Sequence, residues 1–217
     1  MRNYEQGRGR RSADGGRLTK VSGALLIRRF SVREPDVYRV VETVAIQKLT
    51  SINKAALCEL AQTVMDLELD GIEGDFLQAG CGFGGAAIVI AYAKRRSRVF
   101  TVYDPFNAGF GAEMRMREEF TLHGVDERLS VTLVAGAYEE TLVSKGALAL
   151  VHLDCGEYDP MRVLLERTTP RLVSGGHLII DDYKTREESK RAVNDYFHGK
   201  AGFQFVRKSR LHVIKIR

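Results

Sequence analysis

The sequence predicts an α/β protein built on a doubly wound, mostly parallel seven-stranded sheet that finishes in an antiparallel hairpin. Three observations carry this expectation. Short apolar runs alternate with helical stretches from residue 75 onward, a glycine-rich turn follows the first run, and only Lys208, Ser209 and Arg210 part the last two runs. Three residues are too few for a parallel crossover, so those two strands must run antiparallel.

The chain has 217 residues and a net charge of +5, placed unevenly. Residues 1–34 hold nine basic side chains against three acidic ones, whereas the remaining 183 residues sum to −1. With Gly7, Gly9, Gly15 and Gly16 among arginines, the first segment has little apolar area to offset ordering entropy. It reads as a basic flexible N-terminal arm or lid over residues 1–34, with Leu25, Leu26, Ile27 and Phe30 able to dock on the body. Residues 35–217 read as one folded domain with an N-terminal helical extension. A nearly neutral body argues against nucleic acid as the partner, because tracking phosphates needs cations spread over a folded face. Glycines 80, 82, 84 and 85 interrupt the longest uncharged apolar stretch, so no membrane span is expected. Three scattered cysteines (Cys58, Cys81, Cys155) suit a reducing, cytoplasmic interior rather than a disulfide framework.

Two helices are expected before the first strand, from Val37, Val40, Val41 and Val44 and from Leu57, Leu60, Ala61, Val64 and Met65 at helical spacing. Strands follow at residues 75–79, 99–103, 129–134, 149–153, 177–180, 203–207 and 211–216. Helices fill residues 85–94, 112–123, 138–142, 161–173 and 187–197. The basic run Lys94-Arg95-Arg96-Ser97-Arg98 reads as a solvated turn whose cations complement a helix C-terminus. His123, His198 and His212 show no ligand spacing and read as capping or surface residues, while Cys81 and Cys155 read as small packing residues.

Phe76-Leu77-Gln78-Ala79-Gly80-Cys81-Gly82-Phe83-Gly84-Gly85 reads as strand, turn and helix start. Glycine admits positive φ and lets a ligand approach the main chain, and the helix beyond offers unpaired N–H groups. Asp104 closes the next strand about 20 residues on, where a carboxylate can accept both ribose hydroxyls. The constellation suits a nucleoside, with Gly80, Gly82, Phe83, Gly84 and Asp104 as its binding residues. Glycines 80, 82 and 85 also satisfy Gly-x-Gly-x-x-Gly, which leaves a nicotinamide cofactor open. Gly-x-Gly-x-Gly (80, 82, 84) and the closing hairpin favour S-adenosyl-L-methionine, since such a sheet resembles the Rossmann-like class I methyltransferase fold.

Two further strand ends carry carboxylates, at Asp154 and at Asp181-Asp182. Ligands of open parallel sheets bind beyond those ends, so the three side chains are expected to converge beside the cofactor. Such a cluster suits a hard cation such as Mg²⁺, which would hold and acidify an acceptor oxygen. The alternative is that these carboxylates cap the helices that follow.

Together with Ala135-Gly136-Ala137-Tyr138-Glu139-Glu140-Thr141-Leu142, the segments Leu153-Asp154-Cys155-Gly156-Glu157-Tyr158 and Gly175-Gly176-His177-Leu178-Ile179-Ile180-Asp181-Asp182-Tyr183 resemble the macrocin-type (TylF-like) O-methyltransferases over roughly residues 60–200. The resemblance implies adenosylmethionine, Mg²⁺ on Asp154, Asp181 and Asp182, and attack by a hydroxyl of a small, glycosylated natural product in antibiotic biosynthesis. It also places Gly136, Ala137 and Tyr138 by the adenine and Gln78, where the family has Glu, near the methionine or ribose. The family's general base lies in Asp-Gly-Asp-x-Tyr, and this chain has Gly156 at the second Asp. Asp154 and Glu157 are then the catalytic candidates, with His152 an alternative base. Rival readings are RNA methylation, motivated by the basic arm, and adenosylmethionine binding without catalysis, motivated by Gly156. The helices before Gly71 are candidates for a homodimer contact.

Overall fold

The computed structural model describes residues 22–107, 109, 111–125, 129–143 and 145–216. Three helices come first: α1 (Gly23–Arg33), α2 (Pro35–Gln47) and α3 (Lys54–Leu69). Then alternate β1 (Asp75–Ala79), α4 (Gly85–Ala93), β2 (Phe100–Asp104), α5 (Ala112–Leu122), β3 (Val131–Ala135), α6 (Tyr138–Thr141), β4 (Leu148–Leu153) and α7 (Tyr158–Thr168). The chain continues through β5 (Leu172–Ile180), α8 (Glu187–Phe197), β6 (Phe203–Arg207) and β7 (Leu211–Lys215). The seven-stranded sheet has the order β3-β2-β1-β4-β5-β7-β6, parallel except for β7, which runs antiparallel to both neighbours. The chain winds outward over β1, β2 and β3 and then returns to β4, so the switch point that favours ligand binding lies between β1 and β4.

Local chemistry explains the helical extension. Ser22 Oγ accepts the Leu25 N–H at the start of α1, and Asn53 Oδ1 accepts the Ala56 N–H at the start of α3. Pro35 at the first position of α2 cannot continue the hydrogen-bond ladder of α1, which parts the two helices at Glu34. Two helices were expected here; α1 is the third. Within the arm expected over residues 1–34, residues 1–21 lie outside the described residues, while Gly23–Arg33 is helical and buries Phe30 in the core.

The inner strands bury both faces. On one side Phe76, Val102, Leu150 and Ile179 pack with Leu57, Ala61 and Val64 of α3 and Ile88 of α4. On the other, Leu77, Val151, Leu153 and Ile180 pack with Leu164 and Leu165 of α7 and Val193 of α8. Such double burial accounts for the continuous apolar runs in the sequence. β5 begins at Leu172 rather than at residue 177: Gly175 takes φ +79°, and the register against β4 slips between Leu148 and Leu150, so the glycines lie inside the strand as a bulge. α7 ends at Thr168 because Pro170 has no N–H to continue the ladder, and Thr169–Arg171 tightens into a 3-10 turn. Among the described residues no helix is long and apolar enough to cross a membrane.

Two surface assignments are corrected. Lys94 and Arg98 of the expected solvated turn are only 5% and 3% exposed. Arg98 donates to both carboxylate oxygens of Glu68 and to the Ile72 carbonyl, and Lys94 Nζ donates to the Leu129 carbonyl. These partners offset part of the cost of burying the charges, and burial still pushes the Lys94 ammonium down to about 8. His212 is buried rather than exposed: its Nε2 lies 3.5 Å from Glu59 Oε1, and Glu59 also accepts from Ser209. α3 is thereby fastened to the β6–β7 hairpin.

His177 meets His212 edge to face, with ring centroids 5.7 Å apart. Burial, helped by His212 and Lys208, pushes the His177 imidazole down to about 4 from its ordinary 6.5. Between those values the unfolded chain takes up a proton that the native state refuses, so the stability present above pH 6.5 is lost as pH falls toward 4. A His177→Asn variant is expected to lose up to about 3 kcal/mol less than the parent between pH 7 and pH 4 in urea unfolding. Equal losses would show that His177 does not govern this acid limb.

Candidate active site

The C-terminal ends of β1, β2 and β4 meet around a cleft of about 320 Å³, walled by Gly80, Gly82, Asp104, Tyr138, Asp154 and Glu157. The turn after β1 is shaped by Gly80, whose φ is +79° and whose missing Cβ would overlap the Asp154 carbonyl oxygen. Only glycine lets the loop cross the end of β4 this closely. The Gly80 N–H donates to the Tyr103 carbonyl (2.9 Å) and the Asp154 N–H to the Ala79 carbonyl (2.9 Å), which ties the three strand ends together.

Asp104 fixes the loop from the side. Its Oδ2 accepts the Cys81 N–H at 2.8 Å and its Oδ1 accepts the Phe106 N–H at 2.7 Å. Oδ1, which accepts only that one N–H, keeps a further acceptor site, so Asp104 can still receive a ribose hydroxyl. The Cys81 thiol lies 3.1 Å from Asp104 Oδ2 and 2.9 Å from Met116 Sδ. Burial first, and then the Asp104 charge, push that thiol far above its ordinary range, which keeps it protonated and unreactive. The Tyr138 hydroxyl is likewise pushed up, chiefly by burial.

Several expected cofactor residues stand off the cleft wall. Gln78 is fully buried behind the loop: its Nε2 donates to the Gly80 carbonyl at 2.9 Å, and its Oε1 has no hydrogen-bond partner. Phe83 is 39% exposed with the Arg115 guanidinium 3.8 Å from its ring centroid. Gly84 caps α4, and the Gly136 N–H donates to the Asp104 carbonyl at 3.1 Å, with Ala137 next to it at the start of α6.

Burial, and then Asp181, push the Asp154 carboxyl up to about 6. Glu157 lines the cleft mouth as the exposed N-cap residue of α7 and makes no side-chain capping bond. Gly156 is hemmed in: a Cβ there would meet Arg186 Cγ at 3.2 Å and Asp182 Oδ2 at 3.3 Å.

The expected three-carboxylate metal centre is not assembled. Among the described residues, no group of three His, Cys, Asp or Glu side chains is arranged to hold a metal ion. Asp181 Oδ1 is paired with Arg210 Nε and faces His152 Nε2 at 3.8 Å. Burial would raise the Asp181 carboxyl, but His152 and Arg210 outweigh it and hold it below its ordinary range. Asp182 Oδ1 accepts from Thr185 Oγ1 at 2.8 Å. None of the three caps α7 or α8, whose N-cap residues are Glu157 and Arg186. The donor set therefore does not fit Mg²⁺ as it stands. The physical reason is pairing register: Ile180 lies opposite Leu211 in the antiparallel β5–β7 ladder, which sets Arg210 beside Asp181. Arg210 was missed in the sequence because only that register reveals it.

Residues 110–203 match the macrocin-O-methyltransferase (TylF) family. The 8-demethyl-8-(2,3-dimethoxy-alpha-L-rhamnosyl)-tetracenomycin-C 4'-O-methyltransferase of Streptomyces olivaceus is 29% identical over 178 residues, which span 68% of this chain and 67% of that relative. Among solved structures, the O-methyltransferase NovP superposes with a TM-score of 0.62 at 22% identity, covering 77% of this chain and 82% of its own. The SAH-bound methyltransferase of Podospora anserina superposes with a TM-score of 0.61 at 15% identity, covering 90% and 87% respectively. By the order of its sheet and by the residues it matches, this chain has the class I methyltransferase fold and resembles the macrocin-type O-methyltransferases.

Proposed function

We propose that this chain transfers a methyl group from S-adenosylmethionine to a hydroxyl oxygen of a small glycosylated molecule. The observation that carries the reading is the cleft at the β1–β4 switch point, where the glycine turn, Asp104 and Asp154 face one space. Adenosylmethionine would supply an electrophilic methyl group on its sulfonium. Asp104 is the acceptor for ribose hydroxyls, and Tyr138 with the neighbouring Gly136 and Ala137 forms the adenine side. Gln78 acts from behind, holding the Gly80 carbonyl through its Nε2. Cationic and hydroxyl donors of the ligand have Asp154 as their half-buried carboxylate partner.

The acceptor hydroxyl must give up a proton as its oxygen attacks. Glu157 is the carboxylate at the cleft mouth that is not engaged in a cap, and we assign it as the general base. A relative that acts on a rhamnosyl tetracenomycin supports the choice of a sugar-bearing acceptor. Gly156 favours a second reading, a cofactor-binding protein without turnover.

Calorimetric titration with S-adenosylhomocysteine, followed by single-turnover methyl transfer to glycosylated polyketide acceptors, separates these readings. Binding with transfer is expected. Glu157→Gln is expected to lower the transfer rate by about 100-fold or more while leaving S-adenosylhomocysteine affinity unchanged. Intact turnover in Glu157→Gln would remove that assignment, and binding with no transfer to any such acceptor would select the non-catalytic reading.

A further inference from the structure

We propose that Arg210 takes the place of a divalent cation in the carboxylate cluster, so that methyl transfer by this chain draws on no bound metal ion. The inference rests on the methyltransferase reading of the cleft, and it concerns how that site balances its charge.

The β5–β7 register delivers the guanidinium. With Ile180 opposite Leu211, the next pair along the ladder is Asp181 and Arg210, and Arg210 Nε closes on Asp181 Oδ1. The pair is withdrawn from solvent, with the Asp181 side chain 6% exposed and that of Arg210 21%. Asp154 follows His152 by two residues on β4, and Asp181 follows Ile179 by two on β5. Since His152 and Ile179 are register partners, both carboxylates leave adjacent strand ends at the same level. The guanidinium therefore holds the Asp181 oxygen that a shared ion would need.

Its charge is permanent. Arginine does not release its proton in proteins, so a cation approaching Asp181 would meet a fixed positive charge already hydrogen-bonded to the oxygen it needs. A hard divalent ion needs carboxylate oxygens at about 2.0–2.6 Å with their lone pairs free. Asp182 offers little in exchange, because its Oδ1 is taken by Thr185 and its Oδ2 lies toward Gly156 and Arg186. The terminal nitrogens of Arg210 make no hydrogen bond among the described residues, which leaves donors for an acceptor oxygen.

The test follows Mn²⁺ by electron paramagnetic resonance during titration of the full chain saturated with S-adenosylhomocysteine. The parent is expected to leave Mn²⁺ free up to about 1 mM. Arg210→Ala and the bulkier Arg210→Gln are expected to bind one Mn²⁺ at least about tenfold more tightly than the parent, and Asp181→Asn added to either should abolish the gain. The parent measurement needs no variant, so a failure of Arg210→Ala to fold leaves the test intact. Saturable binding of one Mn²⁺ by the parent at micromolar concentration would overturn the proposal. So would a folded Arg210→Gln chain whose Mn²⁺ affinity stays at the parent's value. Uptake of S-adenosylhomocysteine, read calorimetrically without metal, reports separately on the methyltransferase reading, so the two ideas fail independently.

Discussion

Gly80→Ala is expected to weaken S-adenosylhomocysteine binding by about 100-fold or more, equivalent to about 3 kcal/mol. The substitution adds a Cβ that would overlap the Asp154 carbonyl oxygen, at a residue whose φ of +79° disfavours any L side chain. Relief requires the loop to lift from the end of β4, which breaks the bond from the Gly80 N–H to the Tyr103 carbonyl. It would also disturb the neighbouring Cys81 N–H bond to Asp104. The proposed ribose acceptor and the backbone cradle then move together. Isothermal titration measures the affinity, and circular dichroism checks that the sheet persists. Affinity within about threefold of the parent would mean that the glycine turn is not the cofactor cradle.

Arg98→Ala is expected to destabilise the fold by about 3–5 kcal/mol, the range for removing one partner of a buried ion pair. Arg98 is 3% exposed, with its Nη2 at 2.6 Å and its Nε at 3.1 Å from the two Glu68 oxygens. It also donates to the Ile72 carbonyl at 2.9 Å and lies 4.9 Å from the centroid of the Phe76 ring. Truncation strips the Ile72 carbonyl of this donor and leaves the Glu68 carboxylate with only the half-exposed Arg95, in the joint between α3 and the start of β1. Equilibrium urea unfolding gives the loss, and Glu68→Gln combined with Arg98→Met should recover part of it. Because this joint lies at the opposite end of β1 from the cleft, cofactor affinity in the folded fraction should stay at the parent's value. A loss below about 1 kcal/mol would assign the pair to the class of weak surface bridges.

The strand and helix order was legible because periodicity is local. Phe76, Leu77 and Ala79 form a short apolar run that the flanking glycines mark as a strand buried on both faces, and Gly80, Gly82 and Gly84 follow it where a helix begins. Boundaries shifted where chain-local signals compete with pairing. Gly175 and Gly176 look like a strand break, yet the ladder to β4 absorbs them as a bulge. The cationic run at 94–98 looked solvated because a helix end and a turn were all the local context, while the carboxylate that buries Arg98 lies 30 positions away.

The sequence by itself determined the parallel sheet, the closing hairpin, the glycine turn and the placement of Asp104 and Asp154 at strand ends with Glu157 in the turn that follows, because covalent spacing and side-chain period dictate each of them. Tertiary structure alone decided what those strand ends do to one another. The carboxylates looked like a metal cluster when read along the chain. Antiparallel pairing across the β5–β7 ladder then brought Arg210, 29 positions from Asp181, onto the oxygen that a metal would have used. Charge balance in a buried site depends on every group within a few ångströms, and that neighbourhood is set by register and packing rather than by order in the chain.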